Sequence, residues 1–114
     1  MKKKEVDFEI GFADSTILSY SVKRNKLTVI LECWNSEIIE IKFINFTGIT
    51  AMNYFRIADI YEVFESPLLE RALNELYEKH PESHNLRIFQ FINPDDMLAL
   101  EVVSENIQIK KLPH

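Results

Sequence analysis

Residues 27–46 read LTVILECWNSEIIEIKFINF: two apolar runs on either side of Trp34, Asn35, Ser36 and Glu37. Side chains alternate across a strand, so a hairpin here sorts its residues onto two faces. Slipping the register by one residue exchanges the faces of one strand. A two-residue turn at Asn35-Ser36 sets Val29 opposite Lys42 and Leu31 opposite Glu40, which mixes charge into apolar positions. A three-residue loop, Asn35-Ser36-Glu37, instead pairs Cys33 with Ile39, Leu31 with Ile41 and Val29 with Phe43, a wholly apolar face. The polar turn at residues 23–26 extends that face by pairing Val22 with Leu27, Tyr20 with Val29 and Leu18 with Leu31. Three strands then agree on one core side. The other side carries Thr28, Ile30, Glu32 and Trp34 against Ile44, Lys42, Glu40 and Ile38, with Glu32 directly across from Glu40. Facing carboxylates repel unless water or a cation relieves them. This side is therefore solvated or kept for a partner, with Trp34 at its tip.

Outward from the hairpin the same alternation recurs. Val6, Phe8, Ile10 and Phe12 alternate with Asp7, Glu9 and Gly11 as a half-buried strand, and residues 13–15 turn the chain. Residues 48–51 end the third strand of the opening sheet. Within 54–64 both periods are present, and residues 60–64 are read as a strand because a helix start follows. Ser66-Pro67 is an N-cap with proline at the first helical position. Leu68, Leu69, Ala72, Leu73, Leu76 and Tyr77 form one apolar stripe, with Glu70, Arg71, Asn74, Glu75, Glu78 and Lys79 on the wet side and Pro81 as the stop. Residues 86–92 and 97–103 pair around an Asn93-Pro94-Asp95-Asp96 loop, with Ile92 opposite Met97, Phe91 opposite Leu98 and Phe89 opposite Leu100. Ile107, Ile109 and Leu112 suggest a last short strand. The expected fold is α+β: an antiparallel sheet of about six or seven strands with one main helix packed on it, residues 1–114 forming a single domain.

Composition narrows the function classes. The chain has 114 residues, 46% apolar and 11% aromatic, which suits a folded globule. Gly11 and Gly48 are the two glycines, too few and too far apart for a glycine-rich phosphate loop. Cys33 is the sole cysteine, so no internal disulfide and no thiolate metal cluster forms. Glu5, Asp7 and Glu9 interrupt the run after Lys2-Lys3-Lys4, and there is no long uncharged apolar stretch. The expectation is a cytoplasmic protein off the membrane. Net charge is −5, but residues 27–109 hold fourteen acidic and five basic side chains, a net of −9. Such a field repels nucleic-acid backbones and draws basic partners.

Each cluster of reactive residues has a plainer reading. His80 and His84 stand four apart, yet Pro81 breaks the helix between them and no third ligand is placed, so no metal site is expected. Glu32 and Glu40 lack the cleft that a glycosidase acid/base pair needs. Asp95-Asp96 after Pro94 is turn chemistry rather than a calcium loop. Cys33 falls on the core face with no histidine beside it, and no serine-centred elbow occurs. Trp34 differs, because an exposed tryptophan ringed by acid is the residue type enriched at binding hot spots.

The segment DSTILSYSVKRNKLTVILECWNSEIIEIKFINFTG, residues 14–48, resembles small bacterial proteins with a strand–loop–strand–Trp–strand pattern ending in F-x-x-x-x-G. Some of these look like immunity proteins of polymorphic or contact-dependent toxin systems. The likeness extends loosely through ADIYEVFESPLLE and LRIFQFINPDDMLALEVV. It implies a non-enzymatic cytosolic binder, without cofactor, that blocks a cognate basic toxin such as a nuclease. Glu32, Trp34, Glu40, Glu70, Glu75 and Glu78 are the candidate partner contacts. The alternative is a small-ligand-binding or enzymatic domain with a pocket between sheet and helix, lined by Tyr20, Tyr54, Phe55, Tyr61 and Phe91. A free sheet edge leaves room for a homo-oligomer.

Overall fold

A computed structural model describes residues 3–6, 8, 11–52, 54–76 and 84–113. Its elements in chain order are β1 (Lys3–Glu5), β2 (Ser15–Lys23), β3 (Lys26–Glu32), β4 (Ile38–Ile44), β5 (Gly48–Ala51), β6 (Arg56–Ile57), β7 (Asp59–Val63), α1 (Pro67–Leu76), β8 (Arg87–Ile92), β9 (Leu98–Ser104) and β10 (Asn106–Lys111). These ten strands form two five-stranded antiparallel sheets, ordered β1-β7-β8-β9-β5 and β10-β4-β3-β2-β6. The expected single sheet of six or seven strands is thus corrected to two sheets, although the α+β character and the one helix stand. The difference lies in short strands with no alternating pattern: β5, read as the end of a strand, is itself one and pairs with β9. The two-residue β6 pairs with the start of β2. The first strand also moves, since Lys3–Glu5 pairs with β7 while Val6 and Phe8 pack half-buried on the core. Ile10, expected in that strand, lies outside the described residues.

The sheets share one core. Leu27, Val29, Leu31, Ile39, Ile41 and Phe43 from the β3–β4 hairpin meet Ile60, Phe89, Phe91, Leu100 and Val102 from the other sheet. Phe43 stands at the centre, with ring centroids 5.5 Å from Phe89 and 6.0 Å from Phe91 in tilted contacts. Helix α1 covers the far side of the β7–β8–β9 region, where Leu68, Leu69, Ala72 and Leu73 pack on Val63, Ile88 and Val103. Its start follows the sequence: the Leu69 N–H donates to the Ser66 hydroxyl at 3.1 Å, and Pro67 occupies the first turn. Gly48 on β5 lets the helix approach, because a Cβ there would sit 3.2 Å from Leu68 Cδ1. Leu76, assigned to the helix's apolar stripe, is instead half exposed, and Tyr77 and Pro81 lie outside the described residues.

Both long hairpins shift the expected register; β3–β4 keeps its expected faces, whereas in β8–β9 Leu98 leaves the face of Phe91. In β3–β4, Leu27 pairs with Phe43, Val29 with Ile41 and Leu31 with Ile39. The loop is three residues long as expected, but it spans Trp34 to Ser36 rather than Asn35 to Glu37. Cys33 N–H donates to the Glu37 carbonyl at 2.8 Å, and Ser36 N–H to the Cys33 carbonyl at 2.9 Å. Starting one residue earlier moves every pair by two, which leaves the faces intact. Glu32 therefore lies opposite Ile38, and Glu40 opposite Ile30, not opposite each other. The β8–β9 turn repeats this geometry: Asn93 N–H meets the Met97 carbonyl at 2.8 Å and Asp96 N–H the Asn93 carbonyl at 3.0 Å. An irregularity between Phe91 and Ile92 then sets Phe91 opposite Leu100 and Phe89 opposite Val102, where Leu98 and Leu100 were expected.

Each of these turns holds a non-glycine residue at positive φ, 68° at Ser36 and 62° at Asp96. The left-handed region costs about 1–2 kcal/mol for a side chain, against about 0.4–1 kcal/mol for the extra unfolded-state freedom of glycine. Ser36→Gly is therefore expected to stabilise the protein by about 0.5–1 kcal/mol. Urea unfolding checks it, through a higher midpoint at unchanged slope.

Along β2 a bulge between Ile17 and Ser19 changes which residues face inward. Ile17 is buried opposite Leu31, the place expected for Leu18, while Leu18 is half exposed. Past the bulge Tyr20 and Val22 pair with Val29 and Leu27 as expected, yet they remain 46% and 56% exposed.

Candidate partner-binding surface

The face of β10-β4-β3-β2 turned away from the core carries three of the expected contacts, in altered company. Trp34 sits at the β3–β4 tip, 64% exposed. Its loop is pinned by the two backbone bonds across Cys33, Ser36 and Glu37, and by Glu37 N–H donating to Asn35 Oδ1 at 3.1 Å. The tip therefore presents an aromatic ring from a braced turn rather than from a loose loop. Glu32, at the end of β3, is exposed beside it.

Glu40 is not an exposed acid. Its side chain is 16% exposed, with Lys42 Nζ at 3.4 Å and Lys110 Nζ at 3.6 Å from Oε1. Strand β10 brings Lys110 there, because Lys110 pairs with Glu40 in the ladder. Oε1 is buried without a hydrogen bond, so the two ammonium groups are what offset its charge. Across this face Lys23, Lys26, Lys42 and Lys110 outnumber Glu32 and Glu40. The expectation of an acid-ringed docking face thus gives way to a mixed one with an exposed aromatic at its end.

The remaining candidates lie elsewhere. Glu70 and Glu75 belong to α1, which packs on the outer side of the other sheet, so the shared core separates them from Trp34. Glu78 lies outside the described residues. The five described candidates therefore do not form one patch: Glu32 and Trp34 are neighbours, Glu40 is paired behind them, and Glu70 and Glu75 face another direction.

At the root of the tip, Cys33 is 4% exposed. Burial pushes its thiol pKa up, the Glu37 carboxylate adds to the rise, and Ser15 opposes them. A thiol whose pKa rises on folding leaves stability whole at neutral pH and lowers it as pH climbs past the unfolded thiol's value, about 8.5. Thiol labelling at pH 8 is expected to be slow in the native protein and immediate in urea. Cys33→Ala should flatten the loss of stability above about pH 8.5, measured by unfolding across an alkaline pH series.

Clefts are small or shallowly built. Between β5 and α1 a cavity of about 100 Å³ is lined by Thr47, Gly48, Ile49, Leu68, Arg71, Ala72 and Glu75, well under the size of a substrate pocket. Tyr54, Phe55 and Arg56 line a groove of about 400 Å³ with Asn93, Pro94 and Asp95. Phe91, expected in such a pocket, is instead fully buried between the sheets, and Tyr20 is exposed on β2. On β7, Tyr61 lies under the Lys3 ammonium at 4.2 Å, and its pKa is raised chiefly by the Asp59 carboxylate. Arg87 grips Glu62 through two bonds of 3.0 and 2.8 Å, which raises the guanidinium pKa further. His84 accepts the Leu86 N–H at 3.2 Å, while His80 lies outside the described residues. Among the described residues no three histidine, cysteine or carboxylate side chains gather as metal ligands, and no helix is long and apolar enough to cross a membrane. Comparison with protein-family models, with curated proteins and with solved structures gives no match for this chain.

Proposed function

We propose that this chain is a non-enzymatic protein-binding module that docks through the β3–β4 tip. The reading rests above all on Trp34, the chain's sole tryptophan, 64% exposed on a hydrogen-bonded turn where burial would be the ordinary fate of such a side chain. A large rigid ring offered to solvent gives contact area at little entropic cost, as binding anchors do. Glu32 beside it supplies charge at the rim, where it acts mainly on the association rate.

The partner class follows from charge and from the resemblance of residues 14–48. With a net charge of −5, the chain as a whole attracts a basic protein at long range, although lysines predominate on the face behind the tip. An immunity-type role, holding a cognate basic toxin such as a nuclease inactive in the cytoplasm, is the form this binding takes in the proposal. Calorimetric titration against the product of the adjacent gene tests it. A saturable complex that weakens as salt rises supports the reading, whereas no binding removes it and salt-insensitive binding removes the electrostatic part.

A further inference from the structure

The open edge of β2 has a self-complementary sequence. Strand β6 pairs only with Ser15 and Thr16, and the Ile17 N–H donates to the Phe55 carbonyl at 2.6 Å. From Leu18 to Lys23 no strand lies on that side among the described residues. The two-residue turn closes on Lys23 and Lys26, and by alternation it leaves the backbone groups of Tyr20 and Val22 turned to the open edge. Unpaired ladder groups of this kind are satisfied best by another strand.

Three other sheet edges are guarded. Strand β1 is three residues of Lys-Lys-Glu, β10 ends in Lys110 and Lys111, and β5 lies under Leu68 of the helix. Against that background β2 keeps three large apolar side chains in the open: Leu18 at 52%, Tyr20 at 46% and Val22 at 56% exposure. Its sequence there is Leu18-Ser19-Tyr20-Ser21-Val22, which reads nearly the same in both directions.

We infer that a second copy of this chain pairs with that edge, antiparallel, about a two-fold axis through Tyr20. The axis sets Leu18 opposite the partner's Val22, Tyr20 opposite the partner's Tyr20 and Ser19 opposite the partner's Ser21. Ring then meets ring at the axis on one face and hydroxyl meets hydroxyl on the other, with the bulged Leu18 beside the partner's Val22. Phe55 already fills the edge at Ile17, so the ladder ends with these pairs, and Lys23 falls beyond it with no like charge opposite. An isologous contact of this kind closes on itself and leaves no further edge to propagate. So few residues give a weak dimer that follows concentration.

Sedimentation equilibrium over a concentration series tests the pairing. The expected mass rises from one chain toward two and no further. A single-chain mass up to the solubility limit overturns the inference. Tyr20→Lys, which sets two ammonium groups at the axis, is expected to weaken the dimer at least tenfold with unchanged circular dichroism and unfolding midpoint. Undiminished dimerisation of that variant overturns the edge assignment. Should Tyr20→Lys perturb the fold, Tyr20→Cys decides: mild oxidation is expected to link it into dimers, whereas Lys23→Cys, beyond the end of the ladder and far from its own copy across the axis, stays unlinked. Absence of the Tyr20→Cys link, or equal linking of both variants, contradicts the register. The Trp34 tip is untouched by these changes, so this inference and the proposed partner binding fail separately.

Discussion

Phe43→Ala is expected to lower the free energy of unfolding by about 3–5 kcal/mol. The ring is fully buried and meets both Phe89 and Phe91 of the opposite sheet. Truncation removes the transfer free energy of the ring and leaves a void that flanking strands, held by ladders on both sides, close only in part. Loss of two aromatic contacts adds about 0.5–1.5 kcal/mol each at most, already counted within that range. A chain of this size has about 5–15 kcal/mol in hand, so the substitution removes a large share of it. Urea unfolding followed by circular dichroism reads the loss. A change below about 1 kcal/mol would mean that the two sheets do not share this core.

Trp34→Ala is expected to weaken partner binding by about 2 kcal/mol or more, roughly 30-fold in Kd, while moving stability by no more than about 0.5 kcal/mol. The separation of the two effects is the informative part. A tryptophan that anchors the fold costs stability when truncated, whereas one presented on a braced turn costs only what it binds. The paired variant Glu32→Lys acts at the rim, so its effect falls on association rate and on salt dependence rather than on dissociation. Equal affinity for the wild-type chain and Trp34→Ala would move the docking site away from the tip.

The inward face of β3–β4 was legible because period-two alternation survives a register error of two residues. The register itself was not, since it depends on where the loop begins. That point is set by a left-handed residue, and here the left-handed residue is Ser36 rather than the glycine that would announce it. The bulge at Leu18 was hidden for the same reason: Ser15, Ile17, Leu18, Tyr20 and Val22 carry no mark of the extra residue. One signal did point to two sheets. Residues 98–103, LALEVV, run apolar almost without alternation, and β9 is buried from Ala99 to Ser104 because α1 covers one side and the opposite sheet the other. A strand that reads as continuous rather than alternating is buried on both faces. On the candidate surface, the exposure of Trp34 was readable from its place at the hairpin tip. The neutralised Glu40 was not, because Lys110 reaches it through a pairing far along the chain.

The most direct test of Trp34 as the anchor uses its own fluorescence, which nothing else in the chain obscures. Acrylamide quenching is followed as the basic partner is titrated in. In the free chain Trp34 should be quenched almost as readily as in the unfolded state, and saturation with partner should shield it and shift its emission to shorter wavelength. A complex that forms at full stoichiometry while Trp34 stays as open to quencher as before would contradict the account.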